Sequence, residues 1–169
     1  MNYFELFGLP VQLVVDKSTI SKQYFLLQKK YHPDFYTQSG EDEQTDMLEQ
    51  SALINKAYKT LQQPDATIQY VLQLHGLIEV EEKYQLSNSF LMEMMDINEQ
   101  LMEASMEEDA TKKAAIQQEL QNIQEAIYAP VKEIIEHYTD GVSTKEELLQ
   151  VKDYYYKKKY LSRILAGLK

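Results

Sequence analysis

Thr19-Ile20-Ser21-Lys22-Gln23-Tyr24-Phe25-Leu26-Leu27-Gln28-Lys29-Lys30-Tyr31-His32-Pro33-Asp34 is the stretch whose reading decides this chain. Ile20, Tyr24, Leu27 and Tyr31 recur at helical spacing, so they predict one apolar face of a helix over residues 19–31. Asp16 or Ser18 is placed to cap it. Lys22, Lys29 and Lys30 lie away from the apolar face. Pro33 has no N–H to donate and restrains the residue before it, so the helix stops there.

Working outward, residues 37–45 read as a polar loop, with Gly40 and the acids Glu41-Asp42-Glu43 read as solvated. A second helix is predicted over about residues 46–62, capped by Thr45 or Asp46, with Met47, Ile54, Tyr58 and Leu61 inward. Two such helices joined by a short loop pack as an antiparallel hairpin. Towards the N-terminus, residues 3–9 predict one or two helical turns. Beyond Pro64, residues 66–74 predict a further short helix, and residues 76–86 have no helical period. A three-helix pattern follows over residues 87–105, 109–138 and 144–168. Pro130 interrupts the middle segment, and Glu147 sits at the capping-box position for Ser143 or Thr144. The fold class is all-α, divided into residues 1–75, a linker at 76–86, and residues 87–169.

Composition agrees with long helices. Among 169 residues there are only 5 Gly and 4 Pro. A formal net charge of -10 lacks the basic footprint that displaces counterions from nucleic acid. Cysteine is absent, which excludes disulfides, thiolate metal sites and a cluster held by the chain's own thiolates. No run of about 18 apolar residues appears, so no membrane span is expected. The N-terminus has no secretory pattern, and a cytoplasmic location is the expectation. Neither a nucleophile–base pairing nor a glycine-rich phosphate loop is visible, so the chain is not expected to be an enzyme and no cofactor is expected.

His32-Pro33-Asp34 between two matched helices, with Ile54-Asn55-Lys56-Ala57-Tyr58-Lys59-Thr60-Leu61 on the second, resembles the J-domain. Tyr3-Phe4 and Leu6-Phe7-Gly8-Leu9 at the start, Leu72, Leu74, His75 and Gly76 later, and Phe90-Leu91-Met92-Glu93 resemble the HscB family of J-proteins. Phe35 stands where many J-domains have Lys, and Thr67 where an Arg is common. The second departure removes a possible salt bridge. The resemblance implies an L-shaped arrangement of an N-terminal J-domain hairpin and a C-terminal three-helix, scaffold-binding bundle. It also implies a co-chaperone that binds a DnaK-type chaperone (HscA-like), stimulates its ATPase and delivers an iron–sulfur scaffold protein (IscU-like). A J-protein recruiting a general DnaK-type chaperone to another client is the alternative.

The residues fit such roles physically. Asp34 offers a carboxylate for a charge-assisted bond with a partner arginine, and Pro33 stiffens the tip. His32 either orients the loop by hydrogen bonding or touches the partner. Lys22, Lys29 and Lys30 suit an acidic docking surface. In the second half, Phe90, Met94, Ile97, Leu101 and Ala104 form a core stripe. Leu91, Met95 and Met102 fall roughly 100–140° from Phe90, and Met92 lies further round beside Asp96 and Glu99. That surplus apolar patch, fringed by acids, reads as a partner site. By resemblance, Leu91, Met92, Met95, Asp96 and Glu99 match the family's scaffold-binding positions, and Tyr160 on the last helix joins them. Alternatively, the Leu91, Met92 and Met95 patch is the core of a larger interface between the two domains, Met92 with the weakest claim to it. His75 and His137 lack metal-ligand spacing and are expected to be structural.

Overall fold

The computed structural model describes residues 1–168, in which every regular element is a helix and none is a strand. The chain divides into two compact units. The first comprises Met1–His75 with Ile135–Ser143, and the second comprises Gly76–Ile134 with Thr144–Lys169. From sequence alone, residues 135–143 belong to the second half, so their place in the first unit is a correction.

In the first unit, helix α1 (Tyr3–Leu6) opens with a capping box between Asn2 and Glu5. Helix α2 (Lys17–Tyr31) is capped by Asp16, whose carboxylate accepts from the Ser18 N–H at 3.2 Å and the Thr19 hydroxyl at 2.9 Å. The Thr19 bond, then the Ser18 bond, holds the Asp16 carboxyl below its ordinary pKa. Helix α3 (Glu41–Gln62) corrects an expectation. It starts at Glu41 rather than near residue 46, and neither Thr45 nor Asp46 caps it. Gly40 precedes it without a side-chain cap. Glu41, Asp42 and Glu43 fill the first turn, where carboxylates are favoured by the helix dipole. Thr45 is already inside, its hydroxyl donating to the Glu41 carbonyl. Helix α4 (Pro64–Leu74) starts on Pro64, whose missing N–H costs nothing at that position. Gly76, at φ +66, then turns the chain out of it.

Helices α2 and α3 pack as the expected hairpin, with α4 and α1 against α3. Phe4, Phe7, Ile20, Ile54 and Val71 are almost fully buried. Each such side chain contributes about 1.5–3 kcal/mol by leaving water. Thr67 is also buried, and its hydroxyl donates to the carbonyls of Thr60 and Gln63 at 3.1 and 3.0 Å. The residue that lacks the arginine's salt bridge thus stitches α4 to the end of α3.

The second unit is built on helices α5 (Asn88–Met106), α6 (Ala110–Tyr128) and α8 (Lys145–Gly167). Pro130 sits in a 3₁₀ turn, Ala129–Val131, that separates α6 from the short α7 (Lys132–Glu136). Thr144 and Glu147 form the capping box that starts α8. Phe90, Met94, Ile97 and Ala104 of α5 meet Leu120 of α6 and Leu161 of α8 in one core, with Leu101 partly buried beside it.

The stretch expected as a linker is non-helical but not a free tether. Ile78 and Leu86 are buried. Glu82 receives Lys152 at 2.9 Å and the Tyr156 hydroxyl at 3.1 Å. The Tyr84 hydroxyl donates to Asp153 at 2.8 Å, and its ring stacks on Tyr156. Burial first, then these carboxylate partners, pushes both phenols up to about 12.

Candidate functional site

Two surfaces hold the residues singled out from sequence, one on each unit. On the first, His32 ends α2 and begins a 3₁₀ turn, Pro33–Tyr36. Its backbone is extended, as a residue before proline must be. Nδ1 of His32 accepts the Asp34 N–H at 3.2 Å. The same nitrogen lies 3.5 Å from the Asp34 carboxylate. One lone pair cannot accept the amide while holding a proton for the carboxylate. The amide contact is the shorter of the two, so in a neutral imidazole the ring proton sits on Nε2. Of the two roles left open for His32, loop orientation is therefore visible within the chain itself. The Asp34 side chain is 84% exposed, presenting its oxygens outward.

Two braces on this turn carry no signal in the periodicity of the sequence. The Tyr36 hydroxyl donates to the Lys30 carbonyl at 2.6 Å, closing the turn onto the end of α2. Gln44 of α3 donates to the carbonyls of Thr37 and Ser39 at 3.1 and 2.8 Å. The hairpin beneath is locked by Asn55, which accepts from Tyr24 and Gln28 of α2. Tyr24 and Tyr58 meet ring to ring at 3.9 Å between centroids.

Lys22, Lys29 and Lys30 are all exposed on α2. Lys29 lies over the Phe25 ring at 4.6 Å, and Lys30 over the Tyr31 ring at 5.0 Å. Phe25 and Leu26, which lie outside the apolar spacing of α2, are exposed among these lysines. Phe35, the departure at the turn, is exposed too, its ring edge-on to His32.

On the second unit, Met92 and Met95 are 66% and 65% exposed, so neither is core. Asp96 and Glu99 are exposed beside them. Leu91 is half-buried and packs on the core of the bundle while bordering the surface. Tyr160 of α8 does the same, its hydroxyl-bearing ring edge-on to Phe90 at 6.2 Å. Leu91 and Tyr160 line one groove. Met102 and Met106 continue the exposed stripe along α5.

Elsewhere, His75 receives no metal-like surroundings. Its Nε2 lies 2.9 Å from both the Asp140 carboxylate and the Tyr138 hydroxyl, which itself donates to Asp140 at 2.6 Å. Burial, then Asp140, raises the Tyr138 pKa. This cluster fastens the 135–143 segment to the end of α4. Among the described residues, no group of three His, Asp or Glu side chains is placed to hold a metal ion. Among the described residues, no helix is long and apolar enough to cross a membrane.

Residues 2–70 match the DnaJ domain family. A helical hairpin that presents His-Pro-Asp on a braced turn beside a lysine-bearing helix is a J-domain, and the chain is a J-domain protein. Residues 86–169 match the family described as the HSCB C-terminal oligomerisation domain. A co-chaperone protein HscB homolog of Vibrio cholerae serotype O1 is 42% identical over 102 residues, spanning 60% of each chain. The solved structure of chaperone HscB from Vibrio cholerae superposes with a TM-score of 0.77 at 31% identity, covering 99% of this chain and 95% of that one. The crystal structure of human co-chaperone protein HscB gives 0.81 at 30% identity, covering 99% and 80%. The chain belongs to the HscB family of J-domain co-chaperones.

Proposed function

We propose that this co-chaperone binds a DnaK-type chaperone of the HscA kind through its His-Pro-Asp turn and stimulates that partner's ATPase. In this reading it delivers an iron–sulfur scaffold protein of the IscU kind, carried on the α5 stripe of the second unit. The observation that supports it best is the pairing of two unlike surfaces on one chain. One offers an outward carboxylate, Asp34, beside three exposed lysines. The other offers adaptable apolar side chains fringed by acids. The lysines steer an acidic chaperone surface into place, and Asp34 makes the charge-assisted bond to an arginine there. Met92 and Met95 present flexible thioether chains that mould to a client. The iron–sulfur cluster is cargo of the client, since this chain has no cysteine to hold it. The chain itself acts as an adaptor in the cytoplasm and not as an enzyme; ATP hydrolysis belongs to the partner.

The test is the chaperone's ATPase rate measured with the wild-type chain and with His32→Gln, each with and without the scaffold protein. Stimulation by the wild type, increased further by the scaffold, is expected. Loss of stimulation in His32→Gln with an unchanged circular dichroism spectrum is the second expected result. Retained stimulation in that variant would sink the role given to the turn.

A further inference from the structure

Arg163 is the only arginine in a chain with 27 acidic residues. It is exposed on α8, one turn beyond Tyr160 and on the same side of the helix. It borders both grooves that flank Tyr160. One, of about 370 Å³, is shared with Leu91 and residues 82–86. The other, of about 340 Å³, is shared with Leu101.

The first groove has an unusual charge for this protein. Its cations are Lys83, Lys159 and Arg163. Its one carboxylate, Glu82, is already taken by Lys152 and Tyr156 within the fold. The groove is therefore a locally positive slot in a chain of net charge -10. Part of its wall is apolar, lined by Leu91 and the Tyr160 ring. Along α5, on the far side of Leu91, the exposed charges Asp96 and Glu99 are negative.

Resting on the function proposed above, we infer that this slot takes a carboxylate-bearing segment of the same client that the α5 stripe binds. Arg163 is its anchor. A guanidinium presents a planar fork that grips both oxygens of a carboxylate, which a lysine ammonium does not. Lys83 and Lys159, both exposed at the rim, act as steering charges that speed encounter. Leu91 and Tyr160 give an apolar shoulder, so the fitting ligand is an acidic side chain on a protein segment with an apolar neighbour. The client must then carry an acid where it meets α8 and a base where it meets Asp96 and Glu99. This polarity sets the direction in which the client lies across the second unit and rejects segments of the reverse charge order.

The experiment is calorimetric titration of the full chain with purified iron–sulfur scaffold protein at low and high salt. Arg163→Gln is expected to weaken binding about tenfold, and Arg163→Lys to recover only part of that loss. Lys83→Gln combined with Lys159→Gln is expected to weaken binding at low salt and flatten its salt dependence. Thermal unfolding is expected to stay unchanged in all three, since the side chains are exposed. Wild-type affinity in Arg163→Gln, or full recovery in Arg163→Lys, overturns the anchor while leaving the proposed function standing. No binding by the wild-type chain overturns both.

Discussion

The turn at His32–Asp34 and the stripe along α5 recognise by opposite means. The turn is polar and held from several sides: His32 accepts the Asp34 amide, Tyr36 reaches back to Lys30, and Gln44 holds the following loop. Few atoms face outward, and their positions are set by hydrogen bonds. The stripe has the reverse design. Met92, Met95 and Met102 stand largely in solvent with no hydrogen bonds to fix them, on a helix whose other face is core. Directional charge contacts concentrate energy in one or two groups, and apolar area spreads it over many. The first surface should thus fail sharply when one atom changes, and the second gradually.

The largest effect separates the two faces of α5. Met94 is fully buried, so Met94→Ala is expected to destabilise the second unit by about 2–5 kcal/mol in chemical denaturation. A loss below about 1 kcal/mol would break the division of that helix into core and stripe. Next comes the turn. Asp34→Asn keeps the shape and removes the charge, and is expected to weaken chaperone binding by about 2–4 kcal/mol without lowering stability. Scaffold binding should be untouched.

Leu91→Ala with Met92→Ala is expected to cost about 1–3 kcal/mol of scaffold affinity and spare basal stimulation of the chaperone. Unchanged affinity with lowered stability would leave Leu91 a packing residue and remove this end of the stripe from the scaffold site. Tyr36→Phe removes the bond to Lys30 and is expected to lower stability by about 1 kcal/mol, with reduced chaperone stimulation. If stability falls and stimulation does not, the brace is structural alone.

The smallest effect near neutrality concerns the base of the second unit. Tyr84 and Tyr156 hold their protons up to about 12 in the fold, against about 10 in the unfolded chain. Below pH 10 their contribution is fully present. Between about pH 10 and 12 the unfolded chain loses protons that the fold retains, so stability falls as pH rises. Tyr84→Phe with Tyr156→Phe should flatten the denaturation midpoint over that window; an unchanged slope would remove these phenols from the account.

Much of this was legible in the chain. The periods of α2 and α5 and the caps of α2 and α8 follow from local rules, and Pro33 and Gly76 mark stops that geometry demands. The start of α3 was misread because Gly40 offers no side-chain cap. The acids after it looked like loop, although their charge is what a helix start favours. Tyr36 and Gln44 were illegible, since a hydrogen bond to a carbonyl elsewhere in the loop leaves no pattern in sequence.

By itself, then, the sequence determined the helices, the hairpin with its His32-Pro33-Asp34 tip and the surplus apolar stripe, because spacing, proline and capping act within a few residues. Tertiary structure alone decided that residues 135–143 fasten to His75 and that residues 82–84 are pinned to α8. It alone set Arg163 beside Leu91 at one groove. These pairings join residues about 60 or more positions apart. Nothing local encodes such distant neighbours; they meet only when burial of each helix's apolar face fixes how the helices pack.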